Sequence, residues 1–148
     1  MYRSRYDLCL IGRTNYFYLM FILQLSRLKK TVDKFDNAQT LLHDYNAWDS
    51  VIREFEIIGE ATNYLIKNNI LDETSRVVVE FRNLLIHNYF GIDAEEVYDV
   101  VKSDLPNFKS LITDKLSHID NNLKNDLIDA YIQSNSYLEF VILSLQML

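Results

Sequence analysis

Between positions 82 and 89 the run Arg-Asn-Leu-Leu-Ile-His-Asn-Tyr sets a guanidinium, an amide, an imidazole and a phenol into a segment that is otherwise apolar. Such groups need partners when buried. Their gathering in one short run marks them as candidates for chemistry. An imidazole titrates near neutrality, so His87 suits proton transfer in either direction. A guanidinium is always charged and presents a planar fork, so Arg82 suits a phosphate. The amide of Asn83 would orient the histidine or the phosphate. These are the parts that cutting RNA without a metal requires: a proton leaves a 2′-hydroxyl, charge is stabilised on the phosphorane, and the departing 5′-oxygen is protonated.

Other catalytic schemes lack their residues. The three histidines, His43, His87 and His118, are scattered, and no H-E-x-x-H or Cys/His cluster appears, so no metal site is expected. Glu95 and Glu96 are adjacent and do not share a helix face. There is no glycine-rich phosphate loop, no G-x-S-x-G elbow, and no serine or cysteine recognisably paired with a base. No cofactor is implied.

The segment around the motif has helical period. At about 100° per residue, with Val77 as origin, Leu84, Val77, Phe81, Leu85 and Val78 fall on one arc, which is expected to face the subunit core. Val79, Ile86 and Phe90 make a second apolar stripe nearly opposite. One small bundle does not readily cover both, so a second copy is expected to cover Val79, Ile86 and Phe90. Arg82 and Tyr89 flank that stripe on one side, Asn83 and His87 on the other. A two-fold axis through it would join polar flanks of two subunits in one cleft. On an ideal helix Arg82 and His87 stand about 140° apart, which favours such a composite site, or a helix that distorts before Gly91.

The motif fits the pattern R-x-x-x-x-H-x-Y with a polar residue after the arginine. It resembles the signature of the HEPN superfamily, and specifically of HepT-like toxins. Ile58-Gly59-Glu60-Ala61 is similar to the I-G-E-A segment of that family's preceding helix, and Asp104-Leu105-Pro106 resembles a turn after its motif helix. The likeness spans about residues 40 to 112. Where the family often has a proline–tryptophan pair before the motif, this chain has Arg76-Val77-Val78-Val79. The resemblance implies a metal-independent endoribonuclease toxin that acts on RNA as a homodimer through Arg82, His87 and Asn83. It also implies that Tyr89 accepts adenylyl groups from a nucleotidyltransferase antitoxin of the MntA type. Phosphates and adenine added beside Arg82 would compete with RNA by charge and bulk. A plainer reading of Tyr89 is a ring that caps the helix end over Phe90. The chain has no nucleotidyltransferase motif, so the modifying enzyme would be another protein.

The elements that must position these residues follow from composition. A chain of 148 residues is one domain's worth, here 1–148, and with 49% apolar residues, 3 glycines and 1 proline it leans towards long helices. The expected fold is an all-α, up-and-down, HEPN-like bundle of about five helices that dimerises through the motif helix. One cysteine, Cys9, excludes an internal disulfide framework and suits a reducing cytoplasm. The longest apolar run, Tyr16 to Leu25, is about half of what spans a bilayer, and no signal-peptide cleavage site follows it; no membrane association is expected. The net charge is −6, awkward for a protein that approaches a polyanion, but the first 34 residues carry 7 basic and 2 acidic side chains. Those cations form either a basic patch or a solvated helix face.

In order, residues 1–13 read as a poorly ordered or partly extended lead-in. A first long helix runs from Thr14 to about Phe35 with cations at its C-terminal end. A second covers about Ala38 to Asn68, with a possible bend near Asn46 to Asp49. Gly59 sits inside it at a cost of roughly 1 kcal/mol against alanine, which indicates a close approach to another helix. Glu60 is placed to grip Arg82 bidentately, or else stands in solvent. The motif helix starts at Asp72 or Thr74 and runs to about Tyr89, with Gly91 suited to a C-cap. Asp93 opens a further helix, Pro106 breaks or restarts it, and a last helix covers about Ile119 to Leu148. Set against the ribonuclease is a second reading: a non-catalytic helical partner that presents substrate to a separate nucleotidyltransferase.

Overall fold

The computed structural model describes residues 5–88, 91–118, 120–134 and 139–147, with most side chains from Phe17 onward. Among these residues the structure is all-α. The helices are α1 (Arg5–Val32), α2 (Ala38–His43), α3 (Tyr45–Lys67), α4 (Arg76–His87), α5 (Ala94–Asp99), α6 (Leu105–Ser117), α7 (Asn121–Ser134) and α8 (Glu139–Gln146). Six of them have eight residues or more, against the five expected.

Helix α1 is the axis of the bundle. It packs against α3, α6, α7 and α8, and the consecutive residues Phe21 to Ser26 are all buried. A helix apolar on every side must be enclosed. That burial takes most of the apolar run from Tyr18 to Leu25 out of water without a membrane. No described helix is long and apolar enough to cross a membrane. The backbone of residues 5–13, expected as a lead-in, is instead the first part of α1. Once a helix is nucleated, each further residue fixed returns one hydrogen bond, so the weak period there did not end it.

Caps divide the rest. Asp44 takes an extended conformation and its Oδ1 accepts from the Ala47 N–H at 3.0 Å, so the chain breaks into α2 and α3 at that residue and not at 46–49. Asn69, at φ 57°, turns the chain out of α3 where Asn68-Asn69 was expected to end it; asparagine tolerates that left-handed conformation. Asp72 caps a single 3-10 turn, Glu73–Ser75, that leads into α4. Asp93 Oδ1 accepts from the Glu95 N–H at 2.9 Å and opens α5, as expected. One π-helical turn, Val100–Asp104, delivers the chain to α6, with Pro106 in its first turn, where a missing N–H costs nothing. Of the C-terminal helix expected over about 119–148, Asn121–Ser134 and Glu139–Gln146 are helical, and residues 135–138 lie outside the described residues.

Helix α3 lies between α1 and α4 and carries the buried stripe Val51, Phe55, Ile58, Thr62 and Leu65. Within that stripe Glu54 is only 8% exposed, and its Oε2 finds no hydrogen-bond partner among the described residues. Burial pushes its carboxyl up to about 7, although Arg27 and Arg53 pull the other way. Between the ordinary glutamate value and about 7 the folded chain holds a proton that the unfolded chain has lost. Stability from this group therefore falls as pH rises through that window, by roughly 3 kcal/mol in full. Glu54→Gln is expected to raise the Tm at about pH 8 and to leave it near wild type at about pH 4.5. An equal shift at both pH values in a thermal melt would show that ionisation of Glu54 is not the cause.

Candidate active site

The site begins where α3 meets α4. Gly59 of α3 faces the stem of Arg82: a Cβ on Gly59 would lie 2.5 Å from both Arg82 Cβ and Cγ and 3.2 Å from Cδ. Only a residue without a side chain lets the helices come this close, so the glycine expected to mark a close approach does mark one. The packing turns Arg82 inward, and its side chain is 19% exposed.

The guanidinium is held on two sides. Its Nη2 forms an ion pair with the Glu60 carboxylate, and its Nη1 donates to Asn83 Oδ1 at 2.7 Å. The pairing with Glu60 was legible in sequence, but the grip is not bidentate; the fork is divided between Glu60 and the neighbouring amide. Arg82 Nε is buried without a hydrogen-bond partner among the described residues. Glu60 is 70% exposed, and an ion pair open to water on one side contributes little. An incoming anion could therefore displace Glu60 at small cost, while the stem of Arg82 stays fixed by Gly59.

Beside Arg82 opens a cleft of about 510 Å³ between α1, α3 and α4. Phe17 and Tyr64 form one wall, stacked with ring centroids 4.0 Å apart. Met20, Ile57 and Ile86 add apolar surface, and Arg53, paired with Glu56 at 2.7 Å, adds a second guanidinium. Sequence reasoning missed Arg53, Phe17 and Tyr64. The signal for α3 was present: Arg53, Glu60 and Tyr64 recur at spacings of seven and four, one helix face shared with the glutamate already singled out. A charged fork beside aromatic rings can hold a phosphate and stack a base.

Helix α4 is rotated relative to the sequence reading. Val79, expected at a dimer seam, is 6% exposed and belongs to the core of its own chain, while Val77 and Leu84, expected to face that core, are 62% and 42% exposed. The reason is Arg82. Counting it as polar placed it on the flank, whereas the glycine notch draws it into the middle of the buried arc, with Phe81 against Phe55 on one side. Ile86 is half-buried at the cleft. His87 is the last residue of α4 and is exposed; it does not line the cleft that Arg82 lines. The helix stops there because Asn88 leaves helical geometry, at φ −104° and ψ 49°. Gly91 is not the C-cap that was expected: Asn88 takes that place, and no described glycine has a positive φ. Tyr89 and Phe90 lie outside the described residues. Among the described residues no three histidine, cysteine, aspartate or glutamate side chains gather as a metal site.

Residues 21–114 match the family model described as Ribonuclease HepT-like. A protein of Methanocaldococcus jannaschii named "Putative RNase" is 45% identical over 64 residues, 40% of this chain and 58% of that protein. A second protein of that organism and name is 31% identical over 110 residues, 70% of this chain and 89% of its own length. A "Probable ribonuclease HepT" of Thermococcus cleftensis is 35% identical over 74 residues, 48% of this chain and 67% of that protein. The match spans about half the length of the first two curated relatives, 58% and 42%. No solved structure matches the chain.

The notch makes a prediction of definite sign. Alanine at position 59 gains roughly 1 kcal/mol of helix propensity, but its methyl must displace the arginine stem and with it α4, an overpacking cost of about 1–3 kcal/mol. Gly59→Ala is expected to lower the urea midpoint; an unchanged or higher midpoint would mean that α4 yields freely at this contact.

Proposed function

The chain belongs to the HepT-like ribonuclease family, and we propose that it is a metal-independent endoribonuclease, the toxin of a toxin–antitoxin pair, whose site is built on Arg82, His87 and Asn83. The observation that carries this reading is Arg82: locked by its stem against Gly59, aimed into a cleft, and held at its tip by an exposed carboxylate that a phosphate can replace. In the reaction the RNA 2′-oxygen loses its proton and bonds to phosphorus while the 5′-oxygen departs and takes up a proton. Arg82 holds the phosphorane oxygens. His87 is the proton carrier. Asn83 fixes the guanidinium through its Oδ1, and Glu60 serves as the placeholder that RNA displaces.

Arg82 and His87 lie about 140° apart around α4, so the proposed site is shared between two copies. Ile86 stands between them on the wheel, half-buried at the cleft with Met20 and Ile57, and is the proposed centre of the seam. One observation favours the non-catalytic reading: both arginines in the cleft, Arg53 and Arg82, already have glutamate partners in a chain of net charge −6. Cleavage decides. In EDTA, the purified chain is expected to cut total RNA, with His87→Ala and Arg82→Lys losing most of the activity at near-wild-type Tm. Ile86→Glu is expected to lose activity as its mass by light scattering falls to that of a monomer. No cleavage by unmodified wild type would leave the chain as a partner that presents substrate to a nucleotidyltransferase.

Inhibition is proposed to act at Tyr89, two residues beyond His87. Its phenol oxygen attacks the α-phosphate of ATP in the active site of an MntA-type antitoxin, and pyrophosphate leaves. The bound adenylyl group brings negative charge beside the arginine that RNA needs. Mass spectrometry after incubation with the antitoxin and ATP is expected to find the adduct on Tyr89 and none on Tyr89→Phe; an adduct on that variant would move the modified residue elsewhere.

A further inference from the structure

A second polar groove lies on the same two helices as the cleft. It has a volume of about 280 Å³ and is lined by Arg27, Lys30 and Thr31 from the end of α1, by Lys34 in the turn that follows it, and by Ser50 and Glu54 of α3, with Phe140 of α8 beside them. Cations near a helix C-terminus are expected from the helix dipole alone, but that effect does not choose a face. Arg27 and Lys30, three apart, share a face of α1, and Lys34 in the turn after it lines the same groove. Lys29, in the same last turn, is paired with Asp33, as Lys102 is from the far side. The three groove cations make no hydrogen bond or ion pair among the described residues. In a chain of net charge −6, three unpaired cations on one groove form an anion site.

Glu54 is the independent observation. It is more than nine-tenths buried, and its Oε2 has no hydrogen-bond partner among the described residues, although it lines a polar groove. A protonated carboxyl there lacks an acceptor. A phosphate oxygen would supply one, and the three cations would hold the rest of its charge.

The groove and the cleft are lined from successive stretches of the same two helices. Met20 and Arg27 stand seven residues apart on α1, hence on one face with about 10 Å between them, and Lys34 follows in the turn just past the end of that helix. On α3, Ser50 and Glu54 continue at helical spacing into Ile57 and Ala61 of the cleft. A strand whose phosphate sits at Arg82 meets this track on leaving the cleft. We propose that the Arg27–Lys30–Lys34 groove is a phosphodiester-binding track that carries the RNA strand beyond the cut, with Glu54 on its floor hydrogen-bonded to a phosphate oxygen. The inference rests on the ribonuclease reading of the Arg82 cleft.

The charges that face Glu54 are Arg27 and Lys30 of α1, Lys34 of the turn after it, and Arg53 of its own helix; α8 contributes Phe140, which is uncharged. Because burial raises the carboxyl to about 7, the floor of the track is a donor in mild acid and an anion in mild alkali. Strand binding therefore weakens as pH rises through neutrality. A phosphodiester does not titrate in that range, so the change reports the protein.

The test is fluorescence anisotropy with the full chain and a single-stranded 2′-O-methyl RNA, which binds but cannot be cut. Lys30→Glu/Lys34→Glu changes two exposed side chains, and it is expected to lower affinity more than about tenfold, with a salt slope shallower by roughly 0.7 for each phosphate that the variant no longer neutralises. Wild-type affinity should fall between about pH 6 and pH 8, and Glu54→Gln should flatten that fall. Affinity unchanged in the double variant overturns the track. A fall with pH that is the same in wild type and Glu54→Gln removes Glu54 from it. No binding by wild type also overturns the track, and parallel cleavage of unmodified RNA then shows separately whether the ribonuclease reading stands.

Discussion

The contact between Gly59 and the stem of Arg82 is the constraint on which the site depends. A guanidinium at the surface would be a mobile charge with several rotatable bonds, worth little as a phosphate holder because ordering it costs entropy. Here the methylene stem is clamped against the backbone of α3, and that cost is met in folding. What remains free is the tip, and its partners are graded. Asn83 is adjacent in sequence and stays with Arg82. Glu60 reaches it from an exposed position and is weakly committed. The arrangement is a preorganised cation with a replaceable counter-ion, which suits binding of an anion whose charge grows in the transition state.

Helix α1 does for the substrate path what α3 does for the arginine. Its stretch from Phe21 to Ser26 is enclosed on all sides and forms the bundle core, and exposure returns at Lys29 and Lys30. Phe17 and Met20, near its midpoint, reach the cleft, and Arg27 and Lys30 near its C-terminal end reach the groove, where Lys34 of the following turn joins them. In the proposed reading, apolar rings beside the guanidinium and cations beyond it would divide the two tasks of holding a nucleic acid strand, stacking bases and neutralising phosphates. The overall negative charge does not oppose this, since fields from exposed charges fade within about 8–10 Å at ordinary salt.

Rotation of α4 shows where pattern reading fails. A helical wheel assigns the inward face by apolarity, and on that basis Val77 and Leu84 point to the core. The observed helix turns so that Arg82 occupies the centre of the buried arc, with Val79 inside and Val77 outside. The driving term is not the transfer of any one side chain. It is the fit of an arginine stem into a glycine notch, together with the Phe81–Phe55 contact beside it. Such complementarity involves two helices, and neither sequence segment contains it alone.

What the amino-acid sequence determined by itself was local and chemical. It carried the all-α class through composition, the caps at Asp72 and Asp93, the glycine that marks a close approach, the Arg82–Glu60 pairing, and the Arg82, Asn83, His87 and Tyr89 set with its family resemblance. These depend on backbone propensity, side-chain type and spacing along one helix, all of which are written in neighbouring residues. The tertiary structure decided which way α4 faces, that Arg53, Phe17 and Tyr64 join Arg82 in one cleft, that a glutamate is buried beside three cations, and that cleft and groove are lined from the same two helices. Those facts arise from helices brought together across dozens of residues, where packing density and desolvation, not periodicity, choose among faces of similar apolarity.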